Sequence, residues 1–123
     1  LDTDFTASLT DVGPDGKAIS LGPLPFGILR ARYRYGLDRM ELLTPGKPEA
    51  IQVELGQFAH RFRAGHRIRL EISSSAYPVV NPNQNTGAKV ADDVDWKVAR
   101  NSVLHGPGQS SRLILPVLTP ARR

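Results

Sequence analysis

A chain of 123 residues holds one domain and excludes a large multidomain enzyme within its own length. With 40% apolar and 23% charged residues, 11 Gly and 10 Pro, the sequence is globular and turn-rich, which favours many short strands over long helices. Sixteen Lys and Arg against twelve Asp and Glu leave a net charge of +4, a surplus that an Arg-rich fold carries without a nucleic-acid partner, and the lack of cysteine excludes a disulfide framework, a zinc-thiolate site and a thiol nucleophile.

No apolar run approaches the roughly 20 residues of a membrane helix, so no membrane partner is expected. The opening LDTDFTASL has neither a basic leader nor an initiating Met, and reads as the start of a processed or excised piece.

In TDFTASLTDV, Phe5, Ala7 and Leu9 alternate with Thr6, Ser8 and Thr10, the period of a strand with one buried face. GPDGKAISL follows, with Pro14 pre-set for a turn and Gly16 free to take positive φ, so Lys17 to Leu21 should return as the antiparallel partner. GPLPFG is too proline-rich for a ladder. ILRARYRY then resumes alternation, with Leu29, Ala31, Tyr33 and Tyr35 on one side and Arg30, Arg32 and Arg34 on the other.

LLTPGKPEA is a loop, after which IQVELG predicts a strand with Ile51, Val53 and Leu55 inward and Gln52 and Glu54 outward. QFAHRFRAG is too short between its glycines for a stable helix and reads as a turn-like crossing. HRIRLEISS is the clearest strand, Ile68, Leu70 and Ile72 alternating with Arg67, Arg69 and Glu71. Residues 77–101 form a long polar loop marked by Asn-Pro and Thr-Gly turns. NSVLHG and SRLILPVL read as two closing strands joined by the turn GPGQS, and the tail TPARR as disordered. About seven short strands without a long helix predict a sandwich or barrel in a single domain spanning residues 1–123.

The chemistry-bearing residues favour structure over catalysis. Ser73, Ser74 and Ser75 end a strand with no following helix, unlike the strained Gly-x-Ser-x-Gly elbow that presents a nucleophile. His60, His66 and His105 have no metal-type spacing, and a histidine beside a glycine is ordinarily a hydrogen-bonded rim residue. Asp92, Asp93 and Asp95 lack the glycine and terminal glutamate of a calcium loop and read as an exposed acidic loop anchored by Trp96. Arg30, Arg32 and Arg34, with Arg67 and Arg69, could track phosphates, but alternation puts Tyr33 and Tyr35 on the opposite face, away from any basic-aromatic platform. A solvated or domain-facing Arg ladder with Glu54 or Glu71 available for pairing is expected instead, and no nucleic-acid partner.

Taken in order, TDFTASLTDVGPDGKAISL, GILRARYR, PGKPEAIQVELGQFAHRFRAGHRIRLEISSSAYPVVNPNQNTG and SRLILPV closely resemble the C-terminal non-catalytic domain of the X-Pro dipeptidyl-peptidase and cocaine esterase family of serine hydrolases, over nearly the whole chain. The most specific piece is AGHRIRLEISSSAYPVVNPNQNTG, where a Gly-His-Arg strand entry, a serine run and an Asn-Pro/Asn-Thr-Gly loop occur together.

The resemblance implies an all-β, jelly-roll sandwich of the galactose-binding type, attached after an α/β-hydrolase domain that carries the catalytic Ser, Asp and His. No catalytic or metal-ligating role passes to a residue here, and no cofactor is implied. In the family the β domain packs on the hydrolase domain, helps to shape the acyl or peptide site and supports oligomer contacts. Members act on X-Pro peptides, α-amino acid esters, cephalosporin acyl groups or cocaine-like esters. Family members carry further strands ahead of TDFTASL, so the expected sandwich lacks its first strand or strands, and a second copy is expected to cover the edges or apolar surface so left.

Arg32, Arg34, His66, Arg67, Arg69, Ser74, Asn83, Asn85 and Trp96 are the expected structural or interface residues. The alternative function is a stand-alone carbohydrate-binding jelly roll, for which only Trp96 and Tyr77 offer loop aromatics.

Overall fold

The computed structural model describes residues 1–21 and 26–118. Apart from one 3-10 turn at Ala31–Tyr33, the regular structure among them is β: β1 (Asp4–Val12), β2 (Ala18–Ser20), β3 (Phe26–Arg30) and β4 (Arg67–Ser73). All four belong to one antiparallel sheet, and the fold is all-β.

β1 is its axis. On one side it pairs with β2 and β3 laid end to end, from Val12↔Ala18 to Thr10↔Ser20 and from Ser8↔Phe26 to Asp4↔Arg30. On the other it pairs with β4, from Val12↔Arg67 to Thr6↔Ser73. The β1–β2 hairpin closes where the sequence places it: the Gly13 amide donates to Lys17 O at 2.9 Å and the Gly16 amide to Gly13 O at 2.9 Å. Gly16 takes φ 82°, a region where a Cβ would clash with the backbone, and Asp15 Oδ1 accepts the Lys17 amide at 3.1 Å.

Directly opposed residues share a sheet face. One face therefore carries Ala7 and Leu9 of β1, Ile72, Leu70 and Ile68 of β4 and Leu29 of β3, with Asp11 at its end. The other carries Asp4, Thr6, Ser8 and Thr10 beside Arg30, Ser73, Glu71 and Arg69. Residues 51–60 cross the apolar face. A Cβ on Gly27 would lie 1.9 Å from Glu54 O and 3.0 Å from Val53 Cγ1, so the two backbones touch where only glycine fits.

Three expectations need correction. ILRARYRY is not one strand: β3 ends at Arg30 and the chain winds into the 3-10 turn, where the Arg34 amide bonds Ala31 O at 3.2 Å and the Gly36 amide Tyr33 O at 3.0 Å. Residues 51–55 keep the expected alternation, Ile51, Val53 and Leu55 half-buried between exposed Gln52 and Glu54, but form no ladder. One-sided burial is met by lying across the sheet face, in contact at Gly27, without joining its ladder. Residues 101–106 and 111–118 also form no strand, and Val103, Leu104, Ile114, Val117 and Leu118 stay exposed. Their connecting turn does form, with the Gln109 amide on Gly106 O at 3.2 Å and Ser111 Oγ donating to Leu104 O at 2.7 Å. Four strands thus stand among the described residues, where about seven were expected. The tail 119–123 and most of GPLPFG lie outside the described residues.

The Gly27 crossing generates a test. Gly27→Ala should cost about 1–3 kcal/mol by overpacking one backbone against another, read as a lower urea midpoint; unchanged stability would remove this contact from the fold.

Candidate functional site

The densest polar cluster lies where β1, β3 and the Asn-rich loop meet. Asp4 and Arg30 are opposed across the ladder, and extending that register by two residues opposes Asp2 to Arg32. Arg30 grips Asp4 with two parallel bonds, Nε to Oδ1 at 2.9 Å and Nη2 to Oδ2 at 3.0 Å. Arg32 grips Asp2 with its amide on Oδ1 at 2.9 Å and Nε on Oδ2 at 2.6 Å, and its Nη2 donates to Ala88 O at 2.7 Å. The Arg32–Asp2 pair is almost wholly buried, its side chains 4% and 0% exposed.

Asn83 joins the two pairs. Its Nδ2 donates to Asp2 Oδ2 at 2.7 Å and to Asp4 Oδ1 at 2.8 Å, one proton to each carboxylate, while its Oδ1 accepts the Asn85 amide at 3.0 Å. Asn85, at φ 63°, continues the tie: its Nδ2 donates to Lys97 O at 2.8 Å and its carbonyl accepts from the Leu1 amine at 3.3 Å. Burial disfavours the charged Arg30 guanidinium, but the Asp4 hydrogen bond outweighs it and holds the Arg30 pKa above its ordinary value.

The three arginines are not a solvated ladder. Arg34 is also buried, its Nη1 on Ala31 O at 3.1 Å and Glu41 O at 2.5 Å, its Nη2 on Glu41 Oε1 at 3.2 Å, and its guanidinium 4.5 Å from the Tyr35 ring centre. Arg30, Arg32 and Arg34 pair with Asp4, Asp2 and Glu41, the last shared with Arg39, rather than with Glu54 or Glu71. Arg67 and Arg69 lie exposed on β4, with Arg69 3.6 Å from Glu71.

A second cluster occupies the opposite end of β1. Asp11 Oδ2 meets His60 Nε2 at 2.7 Å and its Oδ1 meets His66 Nδ1 at 2.8 Å, so one nearly buried carboxylate ties both histidines to the sheet. The His60 hydrogen bond, with that of His66 behind it, holds the Asp11 carboxyl below its ordinary value against the opposing effect of burial. This is an acid–imidazole contact without a nucleophile. His66 enters β4 and Ser73 leaves it, which puts the serine run on the order of 20 Å away along an extended strand. Ser73 and Ser75 instead bond local backbone, accepting the Ser75 amide at 3.4 Å and the Tyr77 amide at 3.3 Å, and Ser74 is exposed beside them.

Two open clefts flank the sheet, one of about 270 Å³ against Ile19, Leu21, Phe58 and His60, the other of about 330 Å³ between Thr6, Glu71, Ser73, Tyr77 and Val79. Trp96 and Tyr77 stand exposed. Among the described residues no group of three or more His, Cys, Asp or Glu is disposed to hold a metal ion.

Sequence reasoning singled out Arg32, Asn83, Asn85 and His66 but missed Asp2, Asp4 and Asp11. The signal for the first two is present: Asp-x-Asp at 2 and 4 faces Arg-x-Arg at 30 and 32 with the two-residue period of a shared strand face. For Asp11 the sequence carries no such signal, since its partners lie 49 and 55 residues away in an irregular segment and at a strand entry.

The chain matches the family described as the X-Pro dipeptidyl-peptidase C-terminal non-catalytic domain over residues 1–114. It belongs to that family. It is also similar to the cocaine esterase of Rhodococcus sp. (strain MB1 Bresler), 38% identical over 120 residues, which covers 96% of this chain and 20% of that relative. The chain thus spans about a fifth of the length of the curated relative it matches. The clasp of Asp2, Asp4, Arg30, Arg32 and Asn83 lies wholly within the matched span.

Two tests follow from these clusters. Asn83→Ala should destabilise the fold by about 2–3 kcal/mol by stripping a charge-assisted donor from two carboxylates at once, and Asp2→Ala by about 3–5 kcal/mol by stranding the buried Arg32 charge; chemical denaturation curves read both. Asp11, with its pKa lowered in the folded state, contributes stability that is complete above the ordinary aspartate value and disappears as pH falls through and below it. Thermal melts from pH 7 down to 3 should therefore show a smaller acid loss of Tm for Asp11→Asn than for the unaltered protein.

Proposed function

We propose that this domain is a jelly-roll β-sandwich of the galactose-binding type that packs on an α/β-hydrolase catalytic domain, helps to shape its acyl or peptide site and supports self-association. The partner domain supplies the nucleophile, base and acid of a serine hydrolase. The observation that carries this reading is how apolar surface is divided in the chain. The acidic and cationic groups of the clasp are turned inward and engaged with one another, while Val94, Val98, Ile114, Val117 and Leu118 are strongly exposed along the 94–118 stretch. A surface that is apolar where its polar groups are already satisfied suits a permanent partner rather than a diffusing substrate.

Family membership and the fivefold greater length of the cocaine esterase relative support a larger hydrolase as the setting. The substrate class is an ester or an X-Pro peptide, held by the partner domain and bordered by this one. Buried domain interfaces tolerate a polar truncation at an exposed loop far better than a charge at their apolar centre.

The test compares the isolated chain with the complete gene product. The isolated chain should hydrolyse neither aminoacyl-proline nor aryl ester substrates. In the complete gene product Ser74→Ala should leave kcat/KM unchanged, while Val98→Asp should lower thermal stability and kcat/KM together. Hydrolysis by the isolated chain that Ser74→Ala abolishes would overturn the reading.

A further inference from the structure

The polar face of the sheet carries a cleft that the scaffold role does not use. Two pairs opposed across β1 and β4, Thr6↔Ser73 and Ser8↔Glu71, make its floor, and residues 75–79 border it. Beyond β4 the chain turns twice in short order, Ser73 Oγ accepting the Ser75 amide at 3.4 Å and Ser75 Oγ the Tyr77 amide at 3.3 Å, and this brings Tyr77 and Val79 to the rim. Four hydroxyls and one carboxylate thus meet an aromatic ring in a space of about 330 Å³. We propose that this cleft binds a neutral polyhydroxylated ring, a single sugar unit, with its hydroxyl groups on the floor and its C–H face on Tyr77.

The hydrogen-bonding groups of the floor select that chemistry. Ser73 and Ser75 accept backbone amides through their oxygens, so each keeps its O–H proton to donate. Thr6 donates to Ser73 O at 3.3 Å, and its oxygen can still accept. Glu71 supplies acceptors only, and its side chain is 50% exposed. The two floor rows lie about 7 Å apart along β4, so a ligand that satisfies both must carry donors and acceptors on one small frame. A sugar ring does this with every hydroxyl, each being donor and acceptor at once. Tyr77, 73% exposed, offers the flat apolar surface on which the C–H face of such a ring rests.

Other ligand classes fit less well. Among the described residues lining the cleft Glu71 alone is charged, and Arg69 stands 3.6 Å from it, so a cation would find its countercharge already engaged and an anion would face a carboxylate. A purely apolar molecule would strip water from the hydroxyls and leave them unmet. An extended peptide docks on an unpaired backbone edge, but β1 and β4 are laddered to one another beneath the cleft. The volume is near the low end for small-molecule sites, about 300–1,000 Å³, which limits the occupant to one ring or the end of a chain. This site is separate from the acyl or peptide site proposed above and stands or falls without it.

Saturation-transfer difference NMR on the complete gene product, with glucose, galactose, mannose and N-acetylglucosamine in turn, tests the assignment, and titration calorimetry measures the affinity of whichever binds. At least one of these sugars should receive saturation, most strongly at the C–H protons of one ring face. Tyr77→Ala should weaken its binding about tenfold by removing the stacking ring, while Tyr77→Phe should keep it. Glu71→Gln should weaken it about fivefold, since a charged acceptor is exchanged for a neutral amide. Ser74→Ala, a neighbour outside the lining, should bind as the unaltered protein does. Glu71 and Tyr77 are exposed, so unchanged melting temperatures should show every variant folded.

No saturation of any of the four sugars would overturn the proposal. So would binding that Tyr77→Ala and Glu71→Gln both leave unchanged, which puts the sugar elsewhere on the gene product. A signal from glycyl-proline that Tyr77→Ala removes, with none from the sugars, would overturn it in favour of a peptide.

Discussion

Two carboxylates held between two guanidinium groups and one amide fix how the three parts of this chain meet. Removing Asp2, Asp4, Arg30 and Arg32 from water costs several kcal/mol per ion, which Coulomb attraction alone recovers poorly. Here each carboxylate accepts three hydrogen bonds, two from its arginine and one from Asn83, so neither is left with an unmet charge in the interior. The bidentate Arg30 contact needs a planar fork, and lysine could not replace it. Because Asn83 donates once to each side, the position of the loop is set by β1, and the loop in turn keeps the two acids from repelling one another.

With that end of β1 secured, the rest of the sheet falls into place. β1 is buried on both faces along most of its length, which is unusual for a strand rich in Thr and Asp. Its polar face is tolerated because Asp4 is clasped and Thr6 donates to Ser73 O at 3.3 Å. Its apolar face is covered at the β3 side by residues 51–60 and at the far end by the two histidines on Asp11, but the β4 side is bare. Among the described residues the sheet therefore has a closed, charge-locked half and an open, apolar half.

Alternation made β1 and β4 legible from sequence, since a two-residue period states directly which side chains turn inward, and the turn at Pro14 and Gly16 made β2 legible. It also gave the burial of Ile51, Val53 and Leu55, yet not their lack of a ladder, because hydrophobic pattern reports a face and says nothing about a neighbouring backbone. The end of β3 was hidden for another reason. Arg32 continues the alternating pattern in sequence, but its amide is taken by Asp2 from 30 residues away, and the chain winds up at that point instead of extending. The clasp was half legible: the Asn-Pro/Asn-Thr-Gly loop drew attention to Asn83 and Asn85, while their acidic partners at positions 2 and 4 looked like ordinary strand polar residues until the register of β1 on β3 was known. His66 was expected at a rim, and its sharing of Asp11 with His60 depends on the path of an irregular segment that no period describes.

The spacing of the clasp along the chain also orders events in time. Asn83 bonds acids 79 and 81 residues before it, so the loop cannot be seated until β1, β3 and everything between has been brought together. Contacts of such long range carry a large loop-closure entropy and form slowly. The β1–β2 hairpin, with partners as few as six residues apart, is the natural early element, and the clasp the late one. A ribosome would have to release the chain past Asn85 before Asp2 and Asp4 met their final partners, so β1 emerges well ahead of the loop that keeps it.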